Sequence, residues 1–278
     1  MSGLAESTCL LFVPGHLPDR FEKACRASPE GVVLDLEDAV PPTEKGAARA
    51  AVIDFLGAGR GGPPLFVRIN APASRGGLDD LVALADGKLP NVGLVLPKVE
   101  SPRDVQFVRQ LDPQRGRSVM VAVETAAGVE AATAIATALR ANDALVFGGA
   151  DLAADLGAAF AWEPLLAARS ALVRAAACAR LPVFDVPFLA TDAPEALADE
   201  TRRARDLGFT GKLAIHPAQV APIQAAFQPT DEEIARARQI VAAIEAAGGG
   251  AALVDGRMID APVAASARRA LARAAMHF

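Results

Sequence analysis

Cysteine is scarce: Cys9, Cys25 and Cys178 are odd in number and have no metal-binding or redox spacing. They read as reduced thiols of a cytoplasmic protein, not as a disulfide framework or a zinc site. Positive charge is not in excess, since 28 Lys and Arg stand against 33 Asp and Glu, a net charge of −5. That balance argues against nucleic acid or an anionic membrane as a general partner, so an anionic ligand needs a local basic cluster. Mean hydropathy is +0.27, yet the sequence holds no uncharged apolar run of about 18 residues, and no transmembrane helix is expected. The opening MSGLAESTCLLFVPGH carries Glu6 and no basic segment before its short apolar run, which argues against a signal peptide. Nucleotide signatures are missing too. There is no Gly-x-Gly-x-x-Gly after the first strand and no Gly-x4-Gly-Lys-Ser/Thr. Neither a Ser-His-Asp arrangement nor a zinc spacing can be read.

What the chain has is apolar residues, 52% of 278, enough for a large core and too many for a disordered chain. Eight short β-branched runs stand out: LLFVP (10–14), GVVLDLED (31–38), PLFVRIN (64–70), VGLVLPKV (92–99), SVMVAVET (118–125), ALVFGGAD (144–151), LPVFDVPF (181–188) and GKLAIHP (211–217). Most are continuously hydrophobic, as strands covered on both faces must be. Helical patterns separate them, for example Pro18–Ser28, Pro42–Leu56, Leu78–Leu84, Pro102–Leu111, Val129–Leu139, Pro164–Ala179 and Pro194–Leu207. Eight alternations of this kind predict an α/β fold, a (β/α)8 TIM barrel over residues 1–228. Residues 229–278 form a C-terminal helical extension or lid. In it Thr230–Ala247 reads as a helix opened by a Thr230/Glu233 capping box. After Gly248-Gly249-Gly250 come ALVDGRMIDAP and a last helix to Met276. This appendage is too small for a core of its own and is expected to pack on the barrel or on a neighbouring subunit.

Polar residues fall where such barrels work. Asp35, Glu37 and Asp38 close the second strand, Arg68 and Asn70 the third, Lys98 and Glu100 the fourth, Glu124 the fifth, Asp151 the sixth and His216 the eighth. These are carboxyl ends, the rim that carries barrel active sites. Glu124 and Asp151, on adjacent strands, suit a hard cation such as Mg2+, which needs only one or two protein carboxylates. Either could instead serve the dipole of the helix that follows. Arg68 is a fork for a substrate oxygen or a structural partner of Glu37 or Asp38. Lys98 is placed to pair with Glu37, Asp38 or Glu124 in a supporting shell.

With these residues in view, the sequence resembles the citrate lyase β-subunit-like family, which includes malyl-CoA lyases and the HpcH/HpaI aldolases among the phosphoenolpyruvate/pyruvate barrels. The likeness runs through LFVPGHLPDRFEKA, VVLDLEDAVPPTEK, FVRIN, LPKVE, VETAAG, FGGADLAADLG, GFTGKLAIHPAQV, F-x-PT and DGRMID, in that order. It implies a Mg2+-dependent lyase that cleaves or forms a carbon–carbon bond in a β-hydroxyacyl-CoA such as citryl-CoA or malyl-CoA, yielding acetyl-CoA and a 2-keto acid. It also implies homotrimers or hexamers. Carried over, Glu124 and Asp151 are the Mg2+ ligands, Arg68 holds the substrate, and the backbone at Gly149, Ala150 and Asp151 contacts the keto acid. Asp260 is an acid/base reaching a neighbouring subunit's site, and Phe12 and Lys23 contact CoA. The sequence departs from the pattern at Leu17, where many relatives carry a CoA-binding arginine; Arg20 is the available substitute. FGGAD also lacks an acidic residue that some relatives carry before the aspartate. Two other readings stand beside this one: a metal-dependent aldolase of pyruvate type acting on free acids, and a β subunit active only within a citrate lyase complex.

Overall fold

The structure, a computed structural model, describes residues 3–59, 61–87, 89, 92–112, 114 and 116–275. The chain divides into two compact units, Met1–Gln224 and Ala225–Phe278.

In the first unit, β1 (Cys9–Pro14), β2 (Gly31–Asp35), β3 (Leu65–Arg68), β4 (Val92–Leu96), β5 (Val119–Val123), β6 (Ala144–Phe147), β7 (Val183–Asp185) and β8 (Gly211–Ala214) form a closed parallel barrel. Each strand pairs with the next, and β1 pairs with β8 through Leu10↔Leu213 and Leu11↔Ala214, which closes the ring. The (β/α)8 expectation is met, and each of the eight runs holds one strand. Inward positions such as Leu10, Val33, Phe66, Val95, Val146 and Phe184 fill the barrel. Gly93 makes room for one of them, because a Cβ there would lie 2.1 Å from the Phe66 ring.

Alternation turns the neighbours of these residues toward the helices, and two of them are ionic. Lys212 is fully buried and donates from Nζ to Asp185 Oδ2 (2.8 Å), Glu200 Oε1 (2.8 Å) and the Val186 carbonyl (2.7 Å). Arg169 donates to the other Asp185 oxygen at 2.9 Å, with its guanidinium between the rings of Phe147 and Trp162. Ions buried this deeply persist only when paired.

The strands end sooner than the apolar runs suggest. The second stops at Asp35, so Glu37 and Asp38 lie in the loop beyond it. The sixth stops at Phe147, where Gly148 (φ −91°, ψ 66°) leaves the extended conformation, and the helix Gly149–Leu156 begins at once. Asp151, expected at a strand end, therefore sits in the first turn of that helix. Pairing with β7 ends at Val146↔Phe184, which leaves no ladder to hold residues 148–151 extended. The helices Pro102–Leu111 and Pro194–Leu207 match their expected bounds, whereas the single helix expected over Val129–Leu139 is two, Ala126–Glu130 and Ala132–Thr137.

The second unit holds the helices Asp231–Ala246 and Ala261–Ala275 and a hairpin of β9 (Ala252–Val254) and β10 (Arg257–Ile259). The hairpin was not apparent from sequence. Its turn residues Asp255 and Gly256 both have positive φ (50° and 73°), the geometry of a tight two-residue turn. The capping box at Thr230 and Glu233 forms, with Thr230 Oγ1 accepting from the Glu233 N–H at 3.1 Å. Ile240, Ile244, Ile259 and Ala264 make a small apolar cluster, so this unit has more of a core than its length implied. The expected last residue of its final helix, Met276, lies outside the described residues. No helix among the described residues is long and apolar enough to cross a membrane.

Candidate active site

The residues that leave the barrel's carboxyl end border one cavity of about 350 Å³. Asp35, Asp38, Arg68, Glu124 and Asp151 form its polar side; Val186, Pro187, Leu189, Leu213 and Ile215 form its apolar side. Ala150 and Phe12 also border it. Glu124 follows β5 directly, and Thr125 then caps the next helix by accepting from the Gly128 N–H at 3.0 Å. This cap fixes the chain direction just past the carboxylate.

Glu124 is 2% exposed. Burial pushes its pKa up to about 7, with the negative charges of Glu37 and Asp151 adding to the shift. One oxygen, Oε1, accepts the Lys98 backbone N–H at 2.7 Å. Lys98 can point that N–H inward because it adopts the left-handed conformation (φ 54°), which is costly for a residue other than glycine. The Lys98 ammonium lies 2.5 Å from Glu37 Oε1 and 3.5 Å from Asp38 Oδ2. Burial alone would lower the Lys98 pKa, but the hydrogen bond and charge of Glu37, aided by Asp38 and Glu124, raise it overall. Burial likewise raises the pKa of Glu37 against the opposing pull of Arg68 and Lys98.

Arg68 presents its fork to Asp35, with Nε–Oδ1 at 2.7 Å and Nη2–Oδ2 at 2.6 Å. Its Nη1 lies 3.1 Å from Glu37 Oε2, and its guanidinium sits 5.3 Å from the Phe12 ring centroid. Asp35 also accepts the Glu37 and Ala39 N–H groups at 2.8 and 3.3 Å, so one carboxylate organises both the loop and the arginine. Sequence reasoning placed Asp35 on the rim but gave it no such part. The paired spacing of Asp35 and Arg68, facing each other in the β2–β3 register, was the available signal.

Gly148 lines the cavity between the two candidate ligands. A Cβ there would come within 2.4 Å of Glu124 Oε2 and 2.3 Å of Glu124 Cβ, so only glycine leaves the carboxylate in place. Among the described residues, no cluster of three His, Cys, Asp or Glu side chains is arranged to hold a metal. A cation bound between Glu124 and Asp151 would therefore draw further oxygens from water and substrate. That donor set fits Mg2+ and not a closed tetrahedral zinc site.

A second cavity of about 280 Å³ shares Phe12, Val13, Pro14 and Ile215 with the first and adds Arg20, Lys23 and His216. Lys23 and Arg20 thus border one space. Asp260 belongs to the second unit, where it is exposed and its Oδ1 accepts the Val263 N–H at 3.4 Å. It is placed at the start of the helix Ala261–Ala275.

A closed barrel whose carboxyl-end segments gather four carboxylates and an arginine around one cavity is an enzyme of the (β/α)8 class. Comparison with known proteins narrows the class. Residues 8–217 match the model of the HpcH/HpaI aldolase/citrate lyase family, and residues 168–277 match that of a carbon–carbon bond lyase of the TIM-barrel fold. The chain belongs to the HpcH/HpaI aldolase/citrate lyase family. It is 37% identical to a citrate lyase subunit beta-like protein of Deinococcus radiodurans, over 96% of each chain. An L-malyl-CoA/beta-methylmalyl-CoA lyase of Cereibacter sphaeroides is 34% identical, over 91% of this chain and 89% of the relative. Among solved structures, the protein CitE of Mycobacterium tuberculosis in complex with magnesium, acetoacetate and coenzyme A superposes with a TM-score of 0.85. That match is 34% identical and covers 98% of this chain and 99% of the other.

Proposed function

We propose that the chain is a Mg2+-dependent carbon–carbon lyase that cleaves, or in reverse forms, a β-hydroxyacyl-CoA of the citryl-CoA or malyl-CoA kind, giving acetyl-CoA and a 2-keto acid. The observation that carries this reading is the convergence of Glu124, Asp151 and Arg68 on one cavity that adjoins a second, lysine-bearing one. Glu124 and Asp151 would hold the ion. Mg2+, when bound, acts as a Lewis acid toward the oxygens of the keto-acid half.

The chain's own residues do the rest. Arg68, held by Asp35, presents a fixed positive charge to the oxygen on which charge develops as the bond breaks. Lys98 orients Glu124 through its backbone and offsets Glu37 through its side chain. Backbone N–H groups at Ala150 and Asp151, at the start of the helix Gly149–Leu156, favour the keto acid's carboxylate. In cleavage a solvent water takes the hydroxyl proton, that oxygen forms the carbonyl of the keto acid as the carbon–carbon bond breaks, and the bonding pair passes to the thioester as an enolate. Asp260, supplied by a neighbouring subunit of a homotrimer or hexamer, protonates the enolate carbon, or removes that proton in the condensing direction. Arg20 and Lys23 face the phosphates of CoA, with Phe12 between the two cavities. The enzyme works in the cytoplasm, consistent with its unpaired thiols.

The test is a panel of citryl-, malyl- and β-methylmalyl-CoA assayed with Mg2+ and with EDTA. Cleavage that stops in EDTA and returns with Mg2+ is expected. If none reacts, the lyase assignment is refuted, whatever the fold.

A further inference from the structure

We propose that Gln219 is a positioning residue: it clasps the loops after β7 and β8 into a ridge between the two cavities, and this ridge sets affinity for the thioester arm of the substrate. The inference rests on the acyl-CoA reading above. Gln219 lies in the short turn Pro217–Gln219, is 1% exposed, and borders neither cavity itself. Its carboxamide has every polar position in use. Oε1 accepts from the backbone N–H groups of Ile215 (2.9 Å) and His216 (3.3 Å). Nε2 donates to the carbonyls of Phe188 (2.8 Å) and Ala190 (3.2 Å). These four backbone groups belong to segments beyond the barrel ladder, since β7 ends at Asp185 and β8 at Ala214. One side chain thus supplies the hydrogen bonds that strand pairing would otherwise have given.

The two segments it joins carry chemistry on both sides. Pro187 and Leu189 wall the first cavity, His216 the second, and Ile215 borders both. Leu189 is 59% and Ile215 40% exposed, so the ridge holds two apolar side chains out in solvent where a passing ligand arm would cover them. A substrate whose acid end reaches Glu124 and Asp151 and whose long arm runs toward Arg20 and Lys23 passes the border that both cavities share, Phe12, Val13 and Pro14 on one side and Ile215 of this ridge on the other.

Two variants separate a positioning role from a purely structural one. Gln219→Glu keeps the acceptor for Ile215 and His216 but loses both donors; Gln219→Met loses all four bonds. In both, KM for the acyl-CoA should rise about tenfold with kcat changed less than about twofold. Inhibition by the free 2-keto acid, which lies at the carboxylate side, should stay as in the wild type. Hydrogen exchange should accelerate in Gln219→Met at the Ile215 and His216 amides, which lose their acceptor, and with them at the amides of residues 188–190 as that loop is released. A lowered melting temperature with unchanged KM would overturn the proposal, as would unchanged exchange in these two segments. Wild-type protein inactive on every thioester would instead refute the lyase reading and with it the substrate role, while exchange alone would still decide whether the clasp exists.

Discussion

Replacing Gly148 by alanine puts the candidate metal site under direct steric test. The backbone there (φ −91°) accepts any residue, so an effect must come from the added methyl. That methyl would sit 2.3 Å from Glu124 Cβ and 2.4 Å from Oε2, against about 3.5–4.0 Å for a relaxed carbon–carbon contact. Relief needs a shift of more than about 1 Å on the Glu124 side, where Cβ is tied to the backbone immediately after β5 and cannot swing away. Overpacking of this order costs about 1–3 kcal/mol, which lowers the melting temperature by several degrees. Octahedral Mg2+ tolerates little ligand displacement, so its dissociation constant should rise at least about tenfold, or about 1.4 kcal/mol. Titration calorimetry with Mg2+, or Mn2+ binding followed by electron paramagnetic resonance, reads this without any turnover assay. Gly46→Ala is the control, because a Cβ there meets nothing within 4 Å; it should be neutral or mildly stabilising. Wild-type metal affinity in Gly148→Ala would refute the placement of the ion beside Glu124.

Asp35→Ala strips Arg68 of two charge-assisted hydrogen bonds and leaves a partly buried guanidinium with Glu37, which should cost about 1.5–3 kcal/mol of stability and about a hundredfold in kcat/KM; full activity would show that the Asp35 grip is dispensable. Glu124 gives a pH signature in the metal-free protein. Its folded pKa is raised from 4.5 to about 7, so it favours the folded state below pH 4.5, and that advantage is lost as pH rises through about 7. Glu124→Gln has no such loss and should gain up to roughly 3 kcal/mol on the wild type across that window, read by urea melts in EDTA; parallel curves would contradict the raised pKa. Asp260→Asn should lower kcat by about 10²–10⁴ while Mg2+ binding stays unchanged, and unaltered turnover would favour an aldolase acting on free acids.

The eight strands were legible because burial on both faces forces near-continuous apolar runs, and this pattern survives in the sequence whatever the neighbours are. Rim residues were legible for the opposite reason: Arg68, Glu124 and Lys98 interrupt or end those runs, and a charge at the mouth of a barrel needs a purpose. Strand ends were less legible. ALVFGGAD carries no mark of where extended backbone stops, and Asp151 moved into a helix because pairing with β7 gave out at Val146. The hairpin of β9 and β10 was hidden in a segment too short and too polar for a period to register.

The order and spacing of residues alone determined the barrel, the rim and the family likeness, since these depend on composition along the chain. Which partner each ion takes was settled only by the fold. Asp35 rather than Glu37 holds the Arg68 fork because β2 and β3 bring those positions side by side in register. Lys98 reaches Glu124 through its backbone because of a single left-handed torsion, and Gln219 joins two loops because their ladder has ended. Such contacts join residues tens of positions apart through dihedrals and register, and no local pattern in one strand encodes the other.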